Sequence, residues 1–121
     1  MSPVPQDPAA AYRRIELDAR VEGSDALELT RVCLDEAIAQ LRRAALAEAR
    51  GNRFARNDAL MRAAAGIAAL QRGVARDNPL RGPLLTLYGS AELAVRAALA
   101  DYRRAVLDRV SDDLRDIRAL L

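Results

Sequence analysis

Few residues in this chain could carry chemistry, and their spacing does not assemble an active centre. There is no histidine, so the side chain that most often serves as a general base near neutral pH, and as a zinc ligand, is missing. The single cysteine, Cys33, falls in the apolar run VCLDEAIAQL with no basic neighbour to hold it as a thiolate, and it reads as a small core residue. Alone, it can form neither an intrachain disulfide nor a thiolate metal cluster. Asp112 and Asp113 are adjacent acids, which point to different sides of a helix and do not readily share a metal; a solvated face is their simpler role. No glycine-rich phosphate loop and no Gly-x-Gly-x-x-Gly run occurs. The expectation is a protein that is not an enzyme and takes no cofactor and no metal.

Charge points the same way. All 19 basic residues are arginine, against 17 acids, for a net charge of +2. Many stand four residues from an acid, as in Asp58 with Arg62 or Glu92 with Arg96, which on a helix makes a solvated, ion-paired face. The one local excess runs from Arg42 to Arg62 through Arg43, Arg50, Arg53 and Arg56, opposed by Glu48 and Asp58. It would suit an acidic partner, but a nucleic-acid binder wants a more concentrated stripe, and no nucleic acid is expected. The longest apolar run, Ala63 to Leu70, is far short of the roughly 20 residues needed to span a bilayer, so no membrane insertion is expected. The opening MSPVPQDP has no basic region followed by an apolar core, and the expected location is the cytoplasm.

What remains to be explained is the scaffold. A chain of 121 residues matches one domain, and 51% hydrophobic residues with only 3% aromatics means a core of small, helix-favouring side chains. Residues 1–11 hold three prolines and read as a mobile tail, and 12–121 as a single helical domain. The stretch with Tyr12, Ile15 and Ala19 is too short to stand alone as a helix and reads as an arm docked on the bundle. Ser24 or Asp25 offers an N-cap, with Glu28 three residues after Asp25 as the partner of a capping box, at the head of a helix over about 26–50 that Gly51 and Asn52 close. A second helix, about 53–76, contains Gly66 and Gly73, for which close helix packing is the expected compensation. Then ARDNPLRGP makes the clearest loop in the chain.

From Pro83 onward the punctuation stops. Pro83 fits a first helical turn, and Leu84, Leu87, Tyr88, Ala91, Val95, Ala98 and Tyr102 recur at helical spacing. Beyond Gly89 there is no glycine, proline or asparagine, so local signals permit one helix from 83 to 121. Compactness argues instead for a turn near Leu99 to Arg103, giving helices over about 83–100 and 103–121. The expected fold is therefore all-α, an antiparallel up-down four-helix bundle with an N-terminal docking arm.

Two stretches together carry a family resemblance. LELTRVCLDEAIAQLRRAALAEARGN resembles the opening helix of the flagellin-specific export chaperones, the FliS family, with Leu29, Val32, Cys33, Leu34, Asp35 and Ala37 on matching positions and Gly51-Asn52 at the helix end. LLTLYGSAELAV is similar to that family's Leu-x-x-Leu-Tyr-x-Tyr segment through Leu84, Leu87 and Tyr88, with Ser90 in the place of the second tyrosine. Between them, Ala63, Ile67 and Leu70 match, and Ala11-Tyr12 looks like the family's tyrosine arm. The resemblance implies a cytoplasmic chaperone that binds the disordered C-terminal segment of flagellin, blocks premature assembly and presents the subunit to the flagellar export apparatus. An apolar groove lent to an amphipathic client helix would do this.

The residues expected to line that groove are Leu29, Val32 and Leu34 from the first long helix and Leu87, Tyr88, Ala91 and Val95 from the third, with Tyr12 in an arm that covers it when the client is absent. For each leucine and valine, internal core is an equal reading. Tyr88 is expected at the surface, as an apolar ring with a polar edge. Two other functions stay open: a self-associating structural bundle with no flagellin client, and an acidic-partner or nucleic-acid surface on the Arg42 to Arg62 cluster. The oligomeric state is expected to be monomer or weak homodimer.

Overall fold

The computed structural model describes residues 25–121, and over them the chain forms four helices and no strand: α1 (Asp25–Ala49), α2 (Arg53–Gly73), α3 (Arg81–Ala97) and α4 (Arg104–Ala119). The tail and the docking arm, Tyr12 included, lie outside the described residues.

The α1–α2 reversal takes three residues, and local chemistry specifies it. Gly51 adopts φ 70°, which lets its N–H donate to the Glu48 carbonyl at 3.0 Å and the Asn52 N–H to the Ala47 carbonyl at 2.9 Å. This is the paired closure that a left-handed glycine gives a helix C-terminus. Asn52 then caps α2, its Oδ1 accepting the Ala55 N–H at 3.0 Å.

Tertiary contacts set the other two connections. α2 stops at Gly73 and not at 76, because Val74 turns extended and both Val74 and Ala75 are buried. The Arg81 guanidinium donates to the Val74 carbonyl at 2.7 Å, and Asn78 Oδ1 accepts the Leu80 N–H at 2.8 Å. Between α3 and α4 the chain breaks over residues 98–103 with no glycine, proline or asparagine. Ala98 is buried there, and Leu99 and Tyr102 pack on the core. The Arg56 guanidinium lies 5.5 Å from the centre of the Tyr102 ring and pairs with Glu48 at 2.8 Å. One cation thus ties the end of α1, the start of α2 and the α3–α4 bend together.

The helices pack as a ring. α1 meets α2, α2 meets α3, α3 meets α4 and α4 returns to α1, while α1 and α3 sit across the diagonal with no close backbone approach among the described residues. The α1–α2 contact is the most extensive and the α3–α4 contact the least. Arg118 on α4 pairs with Asp35 on α1 at 2.8 Å, and Arg31 donates to the Leu121 carbonyl, closing the ring with the end of α4 beside the start of α1. Gln71 on α2 donates to Glu92 on α3 at 2.5 Å; this bond and the Arg96 guanidinium hold the Glu92 carboxyl below its ordinary range, Arg96 being the larger cause. The core runs through Leu34, Ala37, Leu41, Ala44, Leu60, Ala63, Ala64, Ile67, Val95 and Leu114.

Gly66 departs from expectation. A methyl group built on it would meet the Ala37 Cβ at 3.8 Å, ordinary van der Waals contact, so the helix approach does not require glycine there. Replacing it removes backbone entropy from the unfolded chain without a clash. Gly66→Ala should therefore stabilise the fold by about 0.5 to 1 kcal/mol, read as a rise in the midpoint of thermal or urea unfolding.

Candidate functional site

The expected groove between the first and third long helices is not a feature of this bundle. In an up-down ring these helices are diagonal, and their outward sides face apart. Leu34 and Val95 are fully buried, and Tyr88 is 3% exposed. Tyr88 shares the inward stripe of α3 with Leu84, Ala91 and Val95, so its ring fills core volume and presents no edge to solvent. Leu29 is half-buried and Val32 is exposed, both on α1 and away from α3. Among the described residues of the expected set, Leu87 and Ala91 line the groove between α3 and α4.

That groove lies between α3 and α4, with a volume of about 740 Å³, open along one side. α3 contributes Pro83, Thr86, Leu87, Ser90, Ala91 and Ala94; α4 contributes Val106, Arg109, Val110 and Asp113. Its floor is apolar, from Leu87, Ala91, Ala94 and Val110, with Val106 at the exposed edge. Thr86, Ser90, Arg109 and Asp113 supply polar groups around it, and neither Arg109 nor Asp113 makes an ion pair with another described residue. An apolar floor with a sparse polar rim accepts an amphipathic segment.

The α4 wall escaped sequence reasoning. Val106 and Val110 are four apart and were legible as part of the apolar pattern, but that pattern served equally to continue one long helix. The usable signal was on α3. Its apolar positions spread from Leu85 round through Leu84, Leu87 and Ala91 to Ala94, wider than contact with α2 alone would need.

Elsewhere the polar chemistry is quiet. Burial pushes the Cys33 thiol above its ordinary value, which favours the protonated, unreactive form. Among the described residues no cluster of three histidine, cysteine, aspartate or glutamate side chains is arranged to hold a metal, and no helix is long and apolar enough to cross a membrane.

Fold and groove together define an all-α four-helix bundle with an open apolar surface channel between its last two helices. The chain belongs to the FliS family: the family model described as "Flagellar protein FliS" matches residues 8–120. It is thus a flagellar export chaperone in kind, and the family is one of chaperones. No curated protein and no solved structure matches the chain.

Tyr88→Ala discriminates between core and surface roles for that ring. With its side chain inside the core, truncation should cost about 3 to 5 kcal/mol of stability, measured by urea unfolding. A loss below about 1 kcal/mol would return Tyr88 to the surface.

Proposed function

We propose that the protein binds the C-terminal segment of flagellin in the cytoplasm, prevents its premature polymerisation and keeps it competent for delivery to the export apparatus. The α3–α4 groove supports this reading best. A filament subunit that assembles through amphipathic helices can be held by an apolar channel that takes the helix face used in assembly. Ordering a disordered segment costs about 2 to 5 kcal/mol of the gross contact energy, so a long contact can still be released for export.

Leu87, Ala91, Ala94, Val106 and Val110 are the contacting residues in this proposal. Tyr88 and Val95 serve it from inside, by holding α3 on the core, to which Leu34 contributes from α1.

Calorimetry with a flagellin C-terminal peptide tests it. The peptide should bind one to one and gain helicity by circular dichroism. Val106→Arg, at an exposed edge of the groove, should weaken binding at least about tenfold, or ~1.4 kcal/mol, with little change in unfolding midpoint. Val32→Arg, on the diagonal helix, should leave affinity unchanged. Absence of heat and of induced helicity with the unmodified protein would remove the proposal.

A further inference from the structure

α1 carries a second apolar line on the side turned away from the core. Val32, Ala39 and Leu46 recur every seven residues, with Val32 and Leu46 55% and 52% exposed. A seven-residue repeat is the spacing by which one helix lies along another. The charges flanking this line are sorted along the helix axis, apart from Arg31, which is turned toward α4 and donates to the Leu121 carbonyl. Glu28, Asp35 and Glu36 stand on the N-terminal side of Ala39, and Arg42, Arg43 and Arg50 on the C-terminal side.

The sorting is symmetric about Ala39. Glu36 and Arg42 lie three residues from it on either side, Asp35 and Arg43 four, Val32 and Leu46 seven, and Glu28 and Arg50 eleven. A preference for acids at helix N-termini and bases at C-termini does not account for this, because the dipole acts within the first and last turns. Asp35, Glu36, Arg42 and Arg43 are in the middle of α1.

We propose that the outer face of α1 is an interface for a second copy of this chain, the two α1 helices packing antiparallel about a two-fold axis at Ala39. Such an axis reverses the helix direction and keeps each flank on its own side. On one flank, Asp35 comes level with Arg42 of the second copy; on the other, Glu36 comes level with Arg43. Val32 packs on Leu46 along the centre line, and Glu28 reaches the level of Arg50. At the axis two Ala39 methyl groups meet, allowing the helices to approach to the near end of the 8–10 Å range.

The sorted charge selects this occupant. A helix of one charge sign would be attracted by one half of the face and repelled by the other, whereas an antiparallel copy is complementary along its whole length. The pairs now made by these acids are exposed and exchangeable: Asp35 with Arg118 at 2.8 Å, Glu28 with Arg31 at 3.4 Å and Glu36 with Arg43 at 4.0 Å. Arg42 and Arg50 make no ion pair with another described residue. A single helix face covers less than the ~800 Å² per partner of a standard interface, so the association is weak and reversible. It is separate from the flagellin proposal, because no residue of α1 lines the α3–α4 groove.

Sedimentation equilibrium over a concentration series, without client, tests the interface. The unmodified chain should show a monomer–dimer equilibrium that weakens with salt. Glu36→Arg or Arg43→Glu alone, each placing like charges opposite in two symmetric positions, should weaken the dimer at least about tenfold. The double variant Glu36→Arg/Arg43→Glu should restore it to within about threefold. All these positions are exposed, and circular dichroism checks that the fold is intact. In a Cys33→Ala background, Ala39→Cys should link to itself on mild oxidation, while Val32→Cys should not, since two copies of that position are about 20 Å apart. A chain monomeric up to about 1 mM, the weak end of specific association, overturns the proposal. So does a dimer indifferent to both single reversals.

Discussion

Alanine sets the distance between the helices, and the rest of the molecule follows from that spacing. Ala37, Ala44, Ala59, Ala63, Ala64, Ala91 and Ala98 are all buried, while the largest fully buried side chains are Leu34, Leu60, Ile67, Val95 and Leu114. Small side chains let helix axes approach closely but remove little apolar area apiece. Each helix therefore contributes at least one of the five large residues, and these tie the ring together across its middle. Packing is uneven as a result. It is densest along α1 and α2, where alanines face each other, and thinnest between α3 and α4, where the groove opens.

An export chaperone has use for such unevenness. A bundle that filled every interhelical space would leave nothing for a client, and one that opened its core would not hold its shape. Here the inward stripe of α3, with Tyr88 and Val95, is committed to the core, and the adjoining stripe, with Leu87, Ala91 and Ala94, is left beside a neighbour that only partly covers it. Ser90 borders that channel where the FliS pattern has a second tyrosine, and a serine leaves the corresponding volume empty. The helix that looked like the wall of a groove is one, but it turns a different edge to the channel, and its tyrosine faces inward.

Periodicity and capping residues made the helices legible. Gly51 and Asn52 announced the α1–α2 reversal through their own backbone chemistry, and the family resemblance agrees with the family match over residues 8–120. Periodicity does not say which neighbour a face meets. Leu29, Val32 and Leu87 looked joinable because each lies on an apolar face; only the ring order reveals that α1 and α3 are diagonal. The depth of Tyr88 was hidden for a related reason, since a tyrosine suits both an interface and a core, and the choice depends on where Leu84 and Val95 already point. The end of α2 was misjudged by three residues because the burial of Val74 and Ala75 is a tertiary gain.

The bend at residues 98–103 differs in kind from the reversal at Gly51. No residue within it disfavours helix, so nothing local distinguishes the bent chain from a straight one. Its anchors are the buried Ala98, the half-buried Leu99, and Tyr102 under the Arg56 guanidinium, which Glu48 holds. Two of the residues that specify this bend thus lie more than forty positions upstream, on helices it does not join. A straight helix over 83–121 would carry Tyr102 away from the Arg56 guanidinium, so the last connection of the chain depends on a cation that the first connection sets in place.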